Sequence, residues 1–295
     1  MIFSSLSLFD FNDHKMQLIW GFTSTTNEGS LTMLSARRNN NDYNNNVHNK
    51  NKVMKRTQHG KLAPMEYEKS IHARGYNYVI GADEVGRGSI AGPVFAVSCC
   101  ILNHPSQDQN NNDDTTTNHD SFRPIDLVTD SKELTSQERQ LIYDQIIHND
   151  ENQKYYKYSV SQRSSNEIEK SNILKATMDC FQESIENLIL TENFPLDQTY
   201  AIVDGKSTPK LVNGPTPIPC RPYVSADKFV YTVSIASILA KVIRDNFMIE
   251  ASKLYPEYGF DINKGYSSRE HIEAIHKYGP CPLHRMSFKP LQNRK

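Results

Sequence analysis

Four acids occupy turning points in the hydropathy pattern of this 295-residue chain: Asp83 and Glu84, Asp204, and Asp227. The first pair follows the apolar run at 78–80. It precedes Gly86-Arg87-Gly88 and Ala91-Gly92-Pro93, after which a second apolar run covers 94–102. Two strands joined by a glycine-rich connection put the acid pair at the end of the first strand, beside a cationic loop. Paired carboxylates next to bare backbone amides suit a hard divalent cation and a phosphate. Asp204 likewise follows the apolar run at 199–203, and Asp227 opens a long apolar-periodic segment. If the two acid-bearing strands are neighbours, their carboxylates meet at one sheet edge and the helix start adds a fourth. Like charges that close raise each other's pKa and do not all stay ionised without a cation. Two divalent ions would neutralise the cluster, activate a water and stabilise the leaving oxygen of a phosphodiester. Each acid also has a plainer reading: Asp227 as a helix cap, Asp204 as a turn residue before Gly205, Asp83-Glu84 as loop acids. Periodicity alone does not bring the four together.

The elements that must position them follow from pattern and caps. A helical lead-in covers 66–74, and strands cover 77–82 and 94–102. Thr135 with Glu138 forms a capping-box signal for a helix over 136–148. A Tyr-rich strand at 154–160 is followed by a helix starting at Ser164 or Ser165, a long amphipathic helix at 173–190, and the strand at 199–203. A Pro-rich connection over 208–222 leads to a strand at 223–226. That strand delivers Asp227 to a single long helix over 227–254, with an apolar stripe that includes Val230, Val233, Ile238 and Val242. A helix at 268–278 lies near the C-terminus. Strands followed by helices, two of the strands ending in an acid, indicate an α/β or α+β layered domain.

Residues 1–64 read as a disordered extension, because the asparagine-rich stretch at 39–51 lacks the apolar surface to offset the entropy of ordering. The Ser/Thr-rich start ending in Arg37-Arg38 has the composition of an organellar targeting segment. Asp10, Asp13 and Glu28, and the scarcity of basic residues before Arg37, count against that reading. The catalytic domain is expected over 65–295, with a polar loop insertion at 104–121. Net charge is −1 overall, yet residues 204–295 carry 14 Lys/Arg against 8 Asp/Glu. That excess points to the C-terminal third as the nucleic-acid-facing part, with ordinary surface charge as the plainer reading. Five widely spaced cysteines with no CxxC pair argue against a zinc site and for buried thiols in a reducing compartment. No apolar stretch approaches the ~20 residues of a membrane span. The expected setting is intracellular, in cytoplasm or nucleus, or in an organelle if the N-terminal segment is a targeting peptide.

Several motifs, in order, resemble the ribonuclease HII (type 2 ribonuclease H) family in its bacterial form. They are Gly81-Ala82-Asp83-Glu84-Val85-Gly86-Arg87-Gly88 with Ala91-Gly92-Pro93, then Asp130-Ser131-Lys132, then Asp204-Gly205 with Pro209-Lys210. Ala226-Asp227 with 235–242 and Arg244-Asp245 follow, and then Lys264-Gly265-Tyr266 with His271, Gly279-Pro280-Cys281 and His284-Arg285. The resemblance implies an RNase H-like α/β fold, a central mixed sheet flanked by helices with a C-terminal helical segment. It implies Mg²⁺ or Mn²⁺ held by Asp83, Glu84 and Asp204, with Asp227 the fourth active-site acid. Gly86, Arg87 and Gly88 would cradle the nucleotide at the RNA–DNA junction, and Tyr266 would stack beside its sugar, sensing the 2′-hydroxyl that separates RNA from DNA. Lys132, Lys210 and Lys241 are candidate phosphate contacts; His271 and His284 read as structural. The implied protein is a monomeric endonuclease of DNA replication and repair. Its partners would be RNA/DNA hybrids and DNA duplexes containing ribonucleotides, and it would cut 5′ of single embedded ribonucleotides. Two alternatives stand beside it: a nuclease acting on RNA tracts only, and a catalytically silent hybrid-binding module.

Overall fold

The computed structural model describes residues 7–10, 17–20, 63–102, 124–211 and 217–293. The chain divides into two units, Met1–Arg56 and Thr57–Lys295. In the first, β1 (Ser7–Asp10) and β2 (Gln17–Trp20) pair antiparallel, where disorder was expected. The runs SLFD and QLIW supply apolar, β-prone residues that the asparagine tract lacks. That tract and the insertion at 104–121 lie outside the described residues.

In the second unit, α1 (Glu66–His72) leads into β3 (Tyr78–Val85) and β4 (Val94–Ile101). Next come α2 (Ser136–Ile147), α3 (Asp150–Gln153), β5 (Tyr156–Arg163), α4 (Ser165–Lys170) and α5 (Ile173–Glu192). The chain continues through β6 (Thr199–Asp204), β7 (Cys220–Tyr223), α6 (Ala226–Phe229), α7 (Tyr231–Leu254), α8 (Phe260–Asn263) and α9 (Arg269–Tyr278). The sheet order is β5-β4-β3-β6-β7, with β3 parallel to β6, β6 parallel to β7, and the other pairs antiparallel. It is the expected mixed sheet between helices.

Period-2 alternation assigns the faces of the two central strands. Ile80 and Ala82 of β3, with Ala201 and Val203 of β6, pack against Phe181, Ile185 and Leu188 of α5. Each of the buried Ile, Val, Leu and Phe side chains among them contributes roughly 1.5–3 kcal/mol. Val79 and Ile202 face the other way, toward Val230 and Val233 at the start of α7. The buried Glu68 of α1 accepts the Thr232 N–H at 2.9 Å and so satisfies one of the open amides of α7.

Two elements depart from expectation. The strand before Asp227 is Cys220–Tyr223 rather than 223–226. The single helix over 227–254 is broken at Val230, whose φ of −129° and ψ of 112° are extended. The Ser234 hydroxyl donates to the Asp227 carbonyl at 2.7 Å, satisfying a group the break leaves open. The Thr135–Glu138 capping box is present, and Ser164 with Glu167 forms a second. All five cysteines are free, four of them buried. Among the described residues no helix is long and apolar enough to cross a membrane.

Candidate active site

Register builds the acid cluster. Ala82 pairs with Val203 in the parallel β3–β6 ladder, so Asp83 and Asp204 come next, side by side on the face that carries α6 and α7. One ligand oxygen from each of Asp83, Glu84 and Asp204 lies within 4.8 Å of the others. Burial holds the Asp83 carboxyl well above its usual range, and the charges of Glu84 and Asp204 push it further. Burial also raises Glu84 against the pull of Arg87, whose Nη1 donates to Glu84 Oε1 at 3.0 Å. Burial raises Asp204 too, opposed by the Ala226 N–H that donates to its Oδ1 at 2.7 Å. Glu84 Oε2 is buried with no hydrogen-bond partner among the described residues. A buried carboxylate oxygen without a partner is costly. An all-carboxylate donor set suits a hard divalent cation, so these three acids fit such an ion.

Asp227 stands outside that trio of oxygens. It is buried at the start of α6, and its Oδ2 accepts from Lys132 Nζ at 3.0 Å. Lys132 is therefore drawn to an acid rather than standing free for phosphate. Partial burial disfavours its charge, and the bond to Asp227 with the fields of Asp130 and Asp83 outweighs that and raises its pKa. Asp130 organises this corner: its Oδ1 accepts the Lys132 N–H at 2.9 Å, and Lys228 Nζ lies 3.3 Å from its Oδ2. Ser131 and Ser237 share a hydroxyl hydrogen bond of 2.9 Å, and the nearby Ser237 hydroxyl eases the Asp83 carboxyl back down against the larger push of burial. In the sequence Ser237 stands only as one residue of the 235–242 motif, with no role given to it; the fold places it on the buried face of α7.

The glycine-rich loop is held by two arginines that sequence reading left unassigned. Arg244 is fully buried and donates to the carbonyls of Pro93 (3.1 Å), Lys264 (2.9 Å) and Ala91 (3.1 Å). Arg285, also fully buried, donates to Gly92 O through Nε (2.9 Å) and Nη2 (2.6 Å), and to Ser89 O (2.8 Å) and Arg87 O (3.3 Å) through Nη1. Among the described residues neither guanidinium has a carboxylate partner, so backbone dipoles carry the solvation of both charges. Burial lowers both, Arg285 to about 9 with help from the charge of Arg244. Gly86 has φ +92°, and a Cβ there would sit on Arg244 Nε and 2.9 Å from Pro93 O. Gly88 and Arg87 are exposed, and a Cβ on Gly88 would meet nothing within 4 Å.

Tyr266 reaches the same loop from the C-terminal segment. The Gly265 carbonyl accepts from the N–H groups of Ile90 (2.9 Å) and Ala91 (3.1 Å), and a Cβ on Gly265, at φ +78°, would press into Ala91 O. The Tyr266 ring is 39% exposed, with the Arg244 guanidinium 5.5 Å and Lys241 Nζ 5.9 Å from its centroid. Lys241 also pairs with Asp245 at 2.8 Å. Lys210 is exposed between buried Pro209 and Leu211, and the described residues give it no bond to the acids.

Residues 80–291 match the Ribonuclease HII family profile. The chain is 36% identical to ribonuclease HII of Caldicellulosiruptor bescii over 223 residues, covering 76% of this chain and 92% of the relative. It is 36% identical to ribonuclease HII of Aliivibrio fischeri over 240 residues, covering 81% and 97%. In three dimensions it resembles the Archaeoglobus fulgidus RNase HII solved with PCNA, with a TM-score of 0.51, 20% identity, and coverage of 72% of this chain and 95% of that one. It also resembles Bst-RNase HIII solved with Mn²⁺, with a TM-score of 0.54, 16% identity, and coverage of 76% and 70%. At those identities the likeness concerns the fold.

Proposed function

The chain belongs to the ribonuclease HII family and is a ribonuclease H, a hydrolase of RNA in RNA/DNA hybrids; from that premise we propose that it also cuts duplex DNA 5′ of a single embedded ribonucleotide. The products would be 3′-hydroxyl and 5′-phosphate ends, as in ribonucleotide excision during DNA replication and repair. The observation that carries the reading is the unpartnered Glu84 Oε2 inside a mutually repelling acid trio, next to the exposed Arg87 and Gly88. Mg²⁺ or Mn²⁺, as a pair held by Asp83, Glu84 and Asp204 with Asp227 as the fourth acid, would lower the pKa of the attacking water and take up charge on the leaving oxygen.

The chain's own groups set the geometry. The Ala226 N–H holds the carboxylate of Asp204, and the Glu84 N–H, 2.8 Å from Oδ1, holds that of Asp83. Lys132 balances Asp227 until substrate or cation competes for it. Arg87 orients Glu84, and Gly88 leaves room for a nucleotide to lie against bare backbone. Tyr266 offers a ring face beside two cations, suited to a ribose and its 2′-hydroxyl. Lys210 and Lys241 add affinity for phosphate without sequence preference. The protein acts as a monomer in this reading.

The test compares a DNA duplex carrying one ribonucleotide with an RNA/DNA tract hybrid, using the parent, Asp83→Asn, Tyr266→Phe and Arg87→Ala. Cleavage of both substrates by the parent, its loss in Asp83→Asn, and selective loss of single-ribonucleotide cutting in the other two variants are expected. Equal activity of Asp83→Asn and parent would contradict the site. A parent that binds both substrates tightly and cuts neither would establish the silent binding module instead.

A further inference from the structure

Two buried histidines join the segments that clamp the glycine-rich loop. The loop at 89–92 is gripped on one side by Gly265, as described, and on the other by 283–285. There, Gly92 N–H donates to Leu283 O at 2.8 Å, Arg285 N–H donates to Ile90 O at 2.8 Å, and Ala91 bridges His284. His271 and His284 connect these two grips. His271 Nδ1 lies 2.8 Å from the Tyr266 carbonyl, the two Nε2 atoms are 3.0 Å apart, and the Cys281 N–H donates to His284 Nδ1 at 2.9 Å.

The Tyr266 end of this chain has fixed polarity. A carbonyl only accepts, so His271 Nδ1 carries a hydrogen. At the other end His284 Nδ1 lies 2.9 Å from the Cys281 N–H and 3.2 Å from the Cys281 carbonyl; the carbonyl already accepts the His284 backbone N–H at 3.0 Å, and the nearer N–H only donates, so His284 Nδ1 is bare. Neutral imidazoles then have one arrangement open to them: His284 Nε2–H donates to His271 Nε2. A second proton on either ring would set two donors against each other. The Tyr258 and Phe260 rings enclose the pair, at 4.9 Å and 5.9 Å from His284 and 6.4 Å and 5.4 Å from His271.

We propose that His271 and His284 are positioning residues for ribonucleotide discrimination, a neutral imidazole relay that fixes Tyr266 against the loop at 86–93. Neither touches substrate; they act through the Tyr266 backbone. This rests on the substrate reading given above. Burial lowers both histidines, His284 to about 4 with a contribution from His271, so the relay stays neutral through the physiological range. The titratable groups packed beside it do not compete there. Burial raises Tyr258, whose hydroxyl donates to Gly279 O at 2.8 Å, and pushes Cys281 up to about 11 with a smaller push from Glu257; Arg285 stays cationic near neutrality.

Phenylalanine at either position keeps the aromatic packing and removes the relay. His271→Phe and His284→Phe are each expected to lower the ratio of single-ribonucleotide to tract cleavage about tenfold, the worth of one well-placed hydrogen bond. Tract cleavage should stay within about threefold of the parent. His284→Gln, which offers an acceptor and a donor, should recover part of the ratio. In parallel, long-range ¹H–¹⁵N correlation of histidine-labelled full-length protein, assigned with the Phe variants, reads the tautomers. The expected result is Nδ1–H on His271, Nε2–H on His284, and no titration of His284 until the pH approaches about 4. An unchanged ratio, a parallel fall on both substrates, or the opposite tautomers would overturn the proposal. A parent that cuts tracts and not single ribonucleotides overturns the substrate reading and the discrimination role with it, while the tautomer spectrum separately decides whether the relay exists.

Discussion

The acid cluster and the loop that lies beside it solve opposite electrostatic problems. The cluster gathers three carboxylates whose burial and mutual repulsion push protons onto them, and it leaves Glu84 Oε2 without a partner. The loop at 86–93 surrounds two buried guanidiniums, and every nitrogen of both donates to a carbonyl oxygen. One region leaves a charged oxygen open, suited to a cation; the other bonds every guanidinium nitrogen and, among the described residues, leaves open only the neutral Ser89 hydroxyl of its buried side-chain groups. The difference teaches where affinity for metal is stored and where rigidity is stored. Under the proposed function, the site that would take up and release ions stays unsatisfied, and the loop that would judge a single hydroxyl is built stiff.

The largest effect that tests this contrast is on catalysis. Asp83→Asn should lower cleavage by on the order of a thousandfold, because a lost charge beside the reacting phosphate is not replaced; steady-state rates with Mg²⁺ and Mn²⁺ measure it. The corresponding break in the loop is Arg285→Met. It strands the Gly92 and Ser89 carbonyls, and urea unfolding should show a loss of roughly 3 kcal/mol. Arg285→Lys should recover less than half, since an ammonium cannot span carbonyls set for a planar fork.

The strands, the layering and the acid positions were legible because strand ends and caps are local signals. Thr135-Glu138 and the acids closing β3 and β6 are examples. The break at Val230 was not legible, because apolar periodicity runs straight through it and only the Ser234 hydroxyl bond to Asp227 O marks it. Arg244, Arg285 and Ser237 stand in the quoted motifs, but their roles were not legible for a related reason. Their partners are backbone carbonyls or a hydroxyl roughly twenty to two hundred residues away in sequence, and carbonyls leave no trace in residue type. Lys132 was legible as a basic residue, but its choice of Asp227 needed the fold.

A smaller perturbation separates two glycines of one motif. Gly86→Ala should cost about 1–3 kcal/mol, from its positive φ and the collision with Arg244. Gly88→Ala should stay within about 0.5 kcal/mol, having open space. Equal costs would show that the loop is not clamped as described.

The gentlest probe is pH, where the two regions have opposite signs. The acids of the cluster have raised pKa values in the folded state. Without cation, the stability they contribute is present below their unfolded values near 4 and is lost as pH rises through the raised ones. Glu68, pushed up to about 7 by burial, adds a slope of the same sign, so a Glu68→Gln background isolates the cluster. The histidine relay runs the other way. Its contribution is present above about 6.5 and is lost as pH falls toward about 4. Added Mn²⁺ should remove the cluster's slope and leave that of the relay.

The most direct measurement of the contrast is thermal unfolding at pH 7.5 of the parent and Asp83→Asn, each with chelator and with Mn²⁺. With chelator, Asp83→Asn should melt at or above the parent, because it removes a repelled buried charge. With Mn²⁺ the parent should rise by several degrees and the variant should not. A variant that melts below the parent in chelator, or that gains as much from Mn²⁺, would contradict the account.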